Sequence, residues 1–215
     1  MKLLLVRHGE SEGNVAKVLQ GQQEHPLSEH GLEQAESLSA YLEKNLKAPS
    51  HVYSSPLERA KATAQICTQG YSAEIQTDAR LMEIHNGVLQ GLTWAQAQEQ
   101  YPEVCHELSN SPLWIPIPEA EIPEQAFQRV HQFIEQLFAH HNSTDQIWIF
   151  SHGGILQHFV ARLLGCDRLW GISIPPTGLF EFELDLEQWA TATQDRYTGH
   201  LFRILQFNAT PHLGR

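Results

Sequence analysis

Apolar positions along this chain come in two rhythms. Lys2 to Val6 and Gln146 to Phe150 are short, near-continuous runs of the kind a parallel sheet buries on both faces. His51 to Ser54, Glu74 to Thr77 and Arg80 to Ile84 are further extended candidates. Between these runs the spacing becomes helical. Leu32, Ala35, Leu38, Leu42 and Leu46 follow the N-cap residue Ser28 and predict a helix with a core-facing stripe that ends before Pro49. Phe127, Val130, Ile134, Leu137 and Phe138 give an inner face to a helix from Pro123 to His141, closed by His140 and His141 as solvated residues that complement its dipole. Ile155 to Leu164 predict another, ending at Gly165, and Thr93 with Gln96 forms a capping box for a helix running toward Tyr101. Strands alternating with helices predict an α/β fold, a three-layer α/β/α sandwich with a mainly parallel central sheet. Beyond Pro175-Pro176, Leu179 to Leu184 and His200 to Phe207 predict an antiparallel edge, separated by a polar helix or loop around Glu187 to Arg196.

The breaks in this pattern matter as much as the runs. Ser111 to Pro123 holds four prolines, too many for a helix or a central strand, so it reads as a long loop. Long loops in compact domains are often functional, and the segment of about 84–123 reads as lid-like within one domain spanning 1–215. Ser55-Pro56-Leu57-Glu58 carries the S-x-x-E capping box with proline at the first helical position, which places Arg59 in the first turn of a helix just beyond a strand. Helix N-termini favour anions.

Lys plus Arg number 14 against 25 Asp plus Glu, a formal charge of -11, which argues against a nucleic-acid or anionic-membrane surface. Any bound anion must be held by a local pocket. With no secretory leader pattern and no apolar run near the ~20 residues of a membrane span, the chain reads as soluble and cytoplasmic. Cys67, Cys105 and Cys166 have no CxxC spacing and read as ordinary buried thiols. Despite 13 histidines, no H-E-x-x-H or tight carboxylate cluster suggests a metal, and no cofactor is expected.

The candidate chemistry sits where strands end. Lys2 to Val6 run straight into Arg7 and His8, and Gly9 is expected to let the backbone turn sharply there. Gln146 to Phe150 run into Ser151-His152-Gly153-Gly154. In open α/β sheets ligands bind beyond the carboxyl ends of the strands, so two strand-to-histidine-glycine junctions plus Arg59 outline an anion site. The loop EIHNGVLQG offers one candidate acid, Glu83.

Five segments in order, VRHGESEGN, QGQQEHPLSEHGLEQA, SSPLERAKATA, LMEIHNGVLQG and SHGG, resemble the histidine phosphatase superfamily, the phosphoglycerate mutase-like enzymes. The resemblance implies that His8 is the phosphorylated nucleophile, that Arg7, Arg59 and His152 bind the phosphoryl group, and that Glu83 is the proton donor. Asn14, Gln20, Gly21 and Gly153 match positions lining the same pocket. The chemistry is consistent with that set. Two arginines provide charged donor forks for phosphoryl oxygens, their field favours the neutral imidazole that can attack phosphorus, and a carboxyl group can protonate the leaving alkoxide.

Departures from the family pattern bear on substrate. Ile84 and Asn86 stand where mutases carry an arginine and a tyrosine, Gly154 where they carry an asparagine, and no paired arginines lie between Trp94 and Pro123. Relative to many phosphatases, Gln90 replaces a glutamate, Glu24 an aspartate, and Ala120 and Ile122 the flanks of a G-E-S motif. The expected activity is metal-independent hydrolysis of a small phosphate monoester through phosphohistidine. Alternatives are a phosphoglycerate or bisphosphoglycerate mutase and a non-catalytic phosphate-binding module. Val88, Trp114, Ile115 and Ile117 could pack on the core or touch an apolar leaving group.

Overall fold

The run Lys2–Arg7 forms β1, and its side chains are buried from Leu3 to Val6 because sheet neighbours and helices cover both faces. The computed structural model describes residues 1–111, 115–166, 169, 171–191 and 202–214, so Trp114, His200, Leu201 and the expected polar stretch 192–196 fall outside the described residues. The other strands are β2 (His51–Ser54), β3 (Ile75–Thr77), β4 (Gln146–Ser151), β5 (Leu179–Leu184) and β6 (Phe202–Ala209). They form a 6-stranded sheet in the order β3-β2-β4-β1-β5-β6. The first four are parallel to one another, and β5 and β6 complete an antiparallel edge, as the pattern predicted.

The helices are α1 (Glu12–Val15), α2 (Glu29–Asn45), α3 (Glu58–Thr68), α4 (Trp94–Gln100), α5 (Pro102–Asn110), α6 (Pro123–His140), α7 (Gly153–Leu163) and α8 (Leu186–Thr191). On one side of the sheet, α6 and α7 bury Val130, Phe133, Ile134, Leu156 and Phe159 against Leu3, Leu5 and Phe180. On the other, Leu38 and Leu42 of α2 and Ala64 and Cys67 of α3 meet Leu4, Val6, Val52 and Trp148. A small third cluster joins Leu89 and Ala97 to Cys105.

Several local expectations give way to tertiary contacts. Leu32 and Phe127 are 43% and 38% exposed, so the apolar stripes of α2 and α6 are narrower than their spacing implied. Arg80 to Ile84 do not form a strand. The Asp78 carboxylate accepts the Arg80 N–H at 2.8 Å and winds Ala79–Leu81 into a 3-10 turn. The α3 helix begins at Glu58, not near Pro56, because Ser55 is bonded to His152 and the carboxylate of Glu24 accepts the Glu58 N–H at 2.9 Å. Gly9 is required for close approach and not for a special turn, since a Cβ there would lie 2.6 Å from the carbonyl oxygen of Gly31. His141 is not a solvated helix end: its side chain is 5% exposed and packs on His51. Cys67 and Cys105 are buried, whereas Cys166 is only partly so. Two helices escaped the pattern, although Ser11 with Asn14 caps α1 and Pro102 opens α5.

Candidate active site

Register brings the two histidines together. In the parallel pairing of β1 with β4, Arg7 stands beside Ser151, so His8 and His152 leave the sheet side by side at its carboxyl end. Their ring centroids are 5.1 Å apart. The His8 N–H donates to the Ser151 carbonyl at 3.0 Å and the His8 carbonyl accepts from Thr177 at 3.1 Å, which fixes the backbone under the ring. Both rings are buried, at 2% and 0% exposure.

The tautomer of His8 follows from its partner. Nδ1 lies 2.6 Å from the carbonyl oxygen of Gly9, which can only accept, so Nδ1 carries the proton and the lone pair is on Nε2. Burial, followed by the charges of Arg7 and Arg59, pushes the His8 pKa well below 6.5, against the opposing pull of the Gly9 carbonyl. Burial first, then His8, Arg59 and Arg7, does the same to His152. Ser55 Oγ lies 2.8 Å from His152 Nε2 and already accepts from the Leu57 N–H, so its own hydroxyl proton can go to Nε2 and leave the imidazole proton on Nδ1.

Three buried nitrogens of this cluster have no hydrogen-bond partner among the described residues: Nε of Arg7 and Nε of Arg59, whose residues line the cavity described below, and Nδ1 of His152, which is not among its lining residues. Orphaned buried donors are costly, and donors next to one pocket are what an oxyanion would satisfy. The remaining guanidinium groups are anchored. Arg7 donates to the Ile174 carbonyl, and Arg59 donates at 2.8 Å to the carbonyls of both Gly21 and Gln23, so it also holds the loop before α2. Burial lowers the pKa of both arginines, with Glu83 opposing it; guanidinium groups remain charged at neutral pH.

Glu83 completes the cluster from across the pocket. Its carboxylate accepts from the N–H groups of Ile84 at 2.9 Å and Gly154 at 3.1 Å. Its backbone is braced by Arg129, which sequence reasoning missed. Arg129 donates to the carbonyls of Arg80, Met82 and Glu83 at 2.6, 2.7 and 3.2 Å, and grips Glu121 with a 2.5 Å contact. The available signal was Arg129 itself, the only arginine or lysine on the amphipathic helix α6.

Arg7, His8, Arg59 and Glu83 line one cavity of about 280 Å³ together with Val18, Leu19, Gln20, Gly21, Ile84, Asn86 and Gly154. Of the other expected residues, Gly153 lies against Arg7, a Cβ there being 3.6 Å from Nε. Asn14 is engaged elsewhere, its side-chain oxygen accepting the Ser11 N–H at 3.0 Å to cap α1. Val88 and Ile117 do not line this cavity; they pack in the Leu89–Ala97–Cys105 cluster, and Ile115 is not among the lining residues either. The apolar wall is Val18, Leu19 and Ile84 instead.

Known proteins share this arrangement of chain. The chain is 32% identical over 215 residues to a metal-independent phosphoserine phosphatase of Arabidopsis thaliana, covering 98% of this chain and 90% of the relative. It is 33% identical over 197 residues to the adenosylcobalamin/alpha-ribazole phosphatase of Salmonella typhimurium, covering 88% and 89%. Among solved structures, YhfR of Bacillus stearothermophilus superimposes with a TM-score of 0.81 at 28% identity, over 99% of this chain and 98% of that one. Residues 3–195 match the family model of the histidine phosphatase superfamily, branch 1, and the chain therefore belongs to that superfamily.

Proposed function

We propose that the protein hydrolyses a small phosphate monoester through a phosphohistidine intermediate, with His8 as nucleophile. The observation that carries this reading is the Nδ1 contact to Gly9, which leaves the Nε2 lone pair of a neutral, buried imidazole next to three unpartnered cationic or polar donors. Nε2 attacks phosphorus and the bond from phosphorus to the ester oxygen breaks. Glu83 gives its proton to that oxygen, and the alcohol leaves. Water then attacks the phosphohistidine, Glu83 takes the proton, and inorganic phosphate departs with His8 restored. The Nε groups of Arg7 and Arg59 and Nδ1 of His152 hold the nonbridging oxygens throughout.

Hydrolysis is favoured over mutase chemistry by the far wall of the pocket. Among the described lining residues the only basic side chains are Arg7, His8 and Arg59, all at the phosphoryl end; apart from Glu83, the rest of the wall is Val18, Leu19, Gln20, Gly21, Ile84, Asn86 and Gly154. A mutase must grip a second charged end while its substrate reorients. This wall fits an uncharged or weakly polar leaving group. The relatives' names include phosphoserine and alpha-ribazole phosphatases and also phosphoglycerate mutases, which supports a small-metabolite ester as the chemical class. The charge of -11 supports the absence of a nucleic-acid partner, and no described helix is long and apolar enough to cross a membrane. We place the protein in the cytoplasm on the same reading, with segment 84–123 supplying one wall of the site through Ile84 and Asn86.

The test is acid-base lability. Turnover of a labelled ester quenched in denaturant should leave an acid-labile, base-stable phosphoryl adduct, absent in His8→Ala. Substantial turnover by His8→Ala would overturn the mechanism.

A further inference from the structure

The sheet has a second cluster of coordinating side chains at its other end. The catalytic residues cluster at the carboxyl ends of β1, β2 and β4, whereas His51 is the first residue of β2 and Asp145 immediately precedes β4. At about 3.3 Å per residue this separates the two ends by roughly 13–23 Å. His141 joins them from just past the end of α6.

We propose that His51, His141 and Asp145 form a binding site for a first-row divalent transition ion of the Zn²⁺ class. One ring nitrogen of each histidine and one carboxylate oxygen lie within 4.8 Å of one another. One pair, His141 Nδ1 and Asp145 Oδ2, is 3.3 Å apart. That matches the edge of a tetrahedron, about 3.4 Å, which metal–ligand bonds of about 2.0–2.1 Å produce. The rings of His51 and His141 are 4.3 Å apart between centroids, so a modest rotation of the half-buried His51 ring closes the remaining gap.

Orienting groups are also in place. Tyr53 Oη lies 2.8 Å from Nε2 of His141, where it can accept the N–H that a ligating Nδ1 leaves on the far nitrogen. Asp145 is held by the Asn142 N–H at 3.0 Å. His51 and His141 line a cavity of about 270 Å³ that Asp78 and Arg80 also line. Arg80, which lines the same cavity, is paired with Asp78 at 2.5 Å, so its charge is already offset. Two imidazoles and one carboxylate suit Zn²⁺, Co²⁺, Ni²⁺ or Cu²⁺ better than Mg²⁺ or Ca²⁺, and three protein ligands leave one position for water. A bound ion would tie the start of β2, the end of α6 and the turn before β4 into one clip without touching the catalytic pocket.

The probes are Zn²⁺ and Co²⁺ alone, added to full-length protein stripped with chelator. Co²⁺ should give the intense visible absorption of a four-coordinate site with 1:1 stoichiometry. Zn²⁺ at about a hundredfold over its Kd should raise Tm by about 5–10 °C. Both responses should be lost in His141→Ala and in the milder Asp145→Asn, kept in His8→Ala, and each clip variant should retain phosphatase turnover as proof of folding. Should a clip variant fail to fold, His51→Gln provides the same comparison. Absence of binding below millimolar metal, or binding that survives the clip variants and disappears with His8→Ala, would overturn the proposal.

Discussion

Gly154 donates its backbone N–H to Glu83 Oε2 at 3.1 Å, and a Cβ on residue 154 would stand 2.5 Å from Oε1 of the same carboxylate. The absence of a side chain at 154, where mutases carry an asparagine, is what lets this carboxylate sit against the start of α7. Gly154→Ala should displace Glu83 and lower kcat by about 10- to 100-fold, with a smaller change in KM, because proton transfer needs hydrogen-bond reach while phosphoryl binding rests on other groups. Steady-state kinetics check this; an unchanged kcat would remove Glu83 from the mechanism in the position the structure gives it.

Arg129 should matter for both stability and rate. Arg129→Met removes the donors to three carbonyls around Glu83 and leaves Glu121, whose side chain is 10% exposed, without its cation. A loss of about 2–4 kcal/mol is expected in denaturant unfolding. The surviving folded enzyme should show a reduced kcat, and Arg129→Lys should recover only part of either effect since lysine lacks the planar fork. Wild-type kinetics in Arg129→Met would show that Glu83 needs no brace.

Stability should fall on mild acidification. His8 and His152 have folded pKa values well below 6.5, so between pH 6.5 and those lower values the unfolded chain binds protons that the folded chain does not. Stability due to these groups is therefore fully present above pH 6.5 and lost as pH drops, by up to about 1.4 kcal/mol per pH unit for each. Urea unfolding from pH 7.5 to 5 measures the slope. His152→Asn should flatten it, and an equal slope in that variant would contradict the assignment of the buried imidazole.

Chelation separates the two ends of the sheet. Exhaustive EDTA treatment should leave turnover intact, since Arg7, Arg59 and His152 supply the donors in the proposed reaction, whereas the proposed clip would lose any ion it carries. Activity that disappears with EDTA and returns only with Mg²⁺ or Zn²⁺ would count against the catalytic scheme.

Isomer exchange tests the runner-up reading. With 3-phosphoglycerate and 2,3-bisphosphoglycerate, release of phosphate should exceed conversion to the 2-isomer, because Ile84 and Asn86 offer no second anion grip in the pocket. Isomerisation much faster than phosphate release would favour a mutase.

The sequence by itself determined the strands and most of the helices, because their signals are local. The apolar runs of β1 and β4, the Ser28 and Thr93 caps and the stripe of α6 each lie within a few residues of one another, and all appear in the fold. It also put His8 and His152 at strand ends, and the resemblance of five motifs grouped them with Arg7, Arg59 and Glu83. What the tertiary structure decided is how those groups are held. Ser55 could either cap α3 or bond His152, and local pattern cannot weigh a partner 97 positions away. Leu32 and Phe127 have helical spacing yet face solvent, since spacing defines a stripe but not its covered width. The Arg129 brace, the room that Gly154 leaves for Glu83 and the meeting of His51, His141 and Asp145 all join segments far apart in the chain. Such contacts exist only after the parallel register of β1, β4 and β2 brings their ends into line, and no short stretch of sequence encodes that register alone.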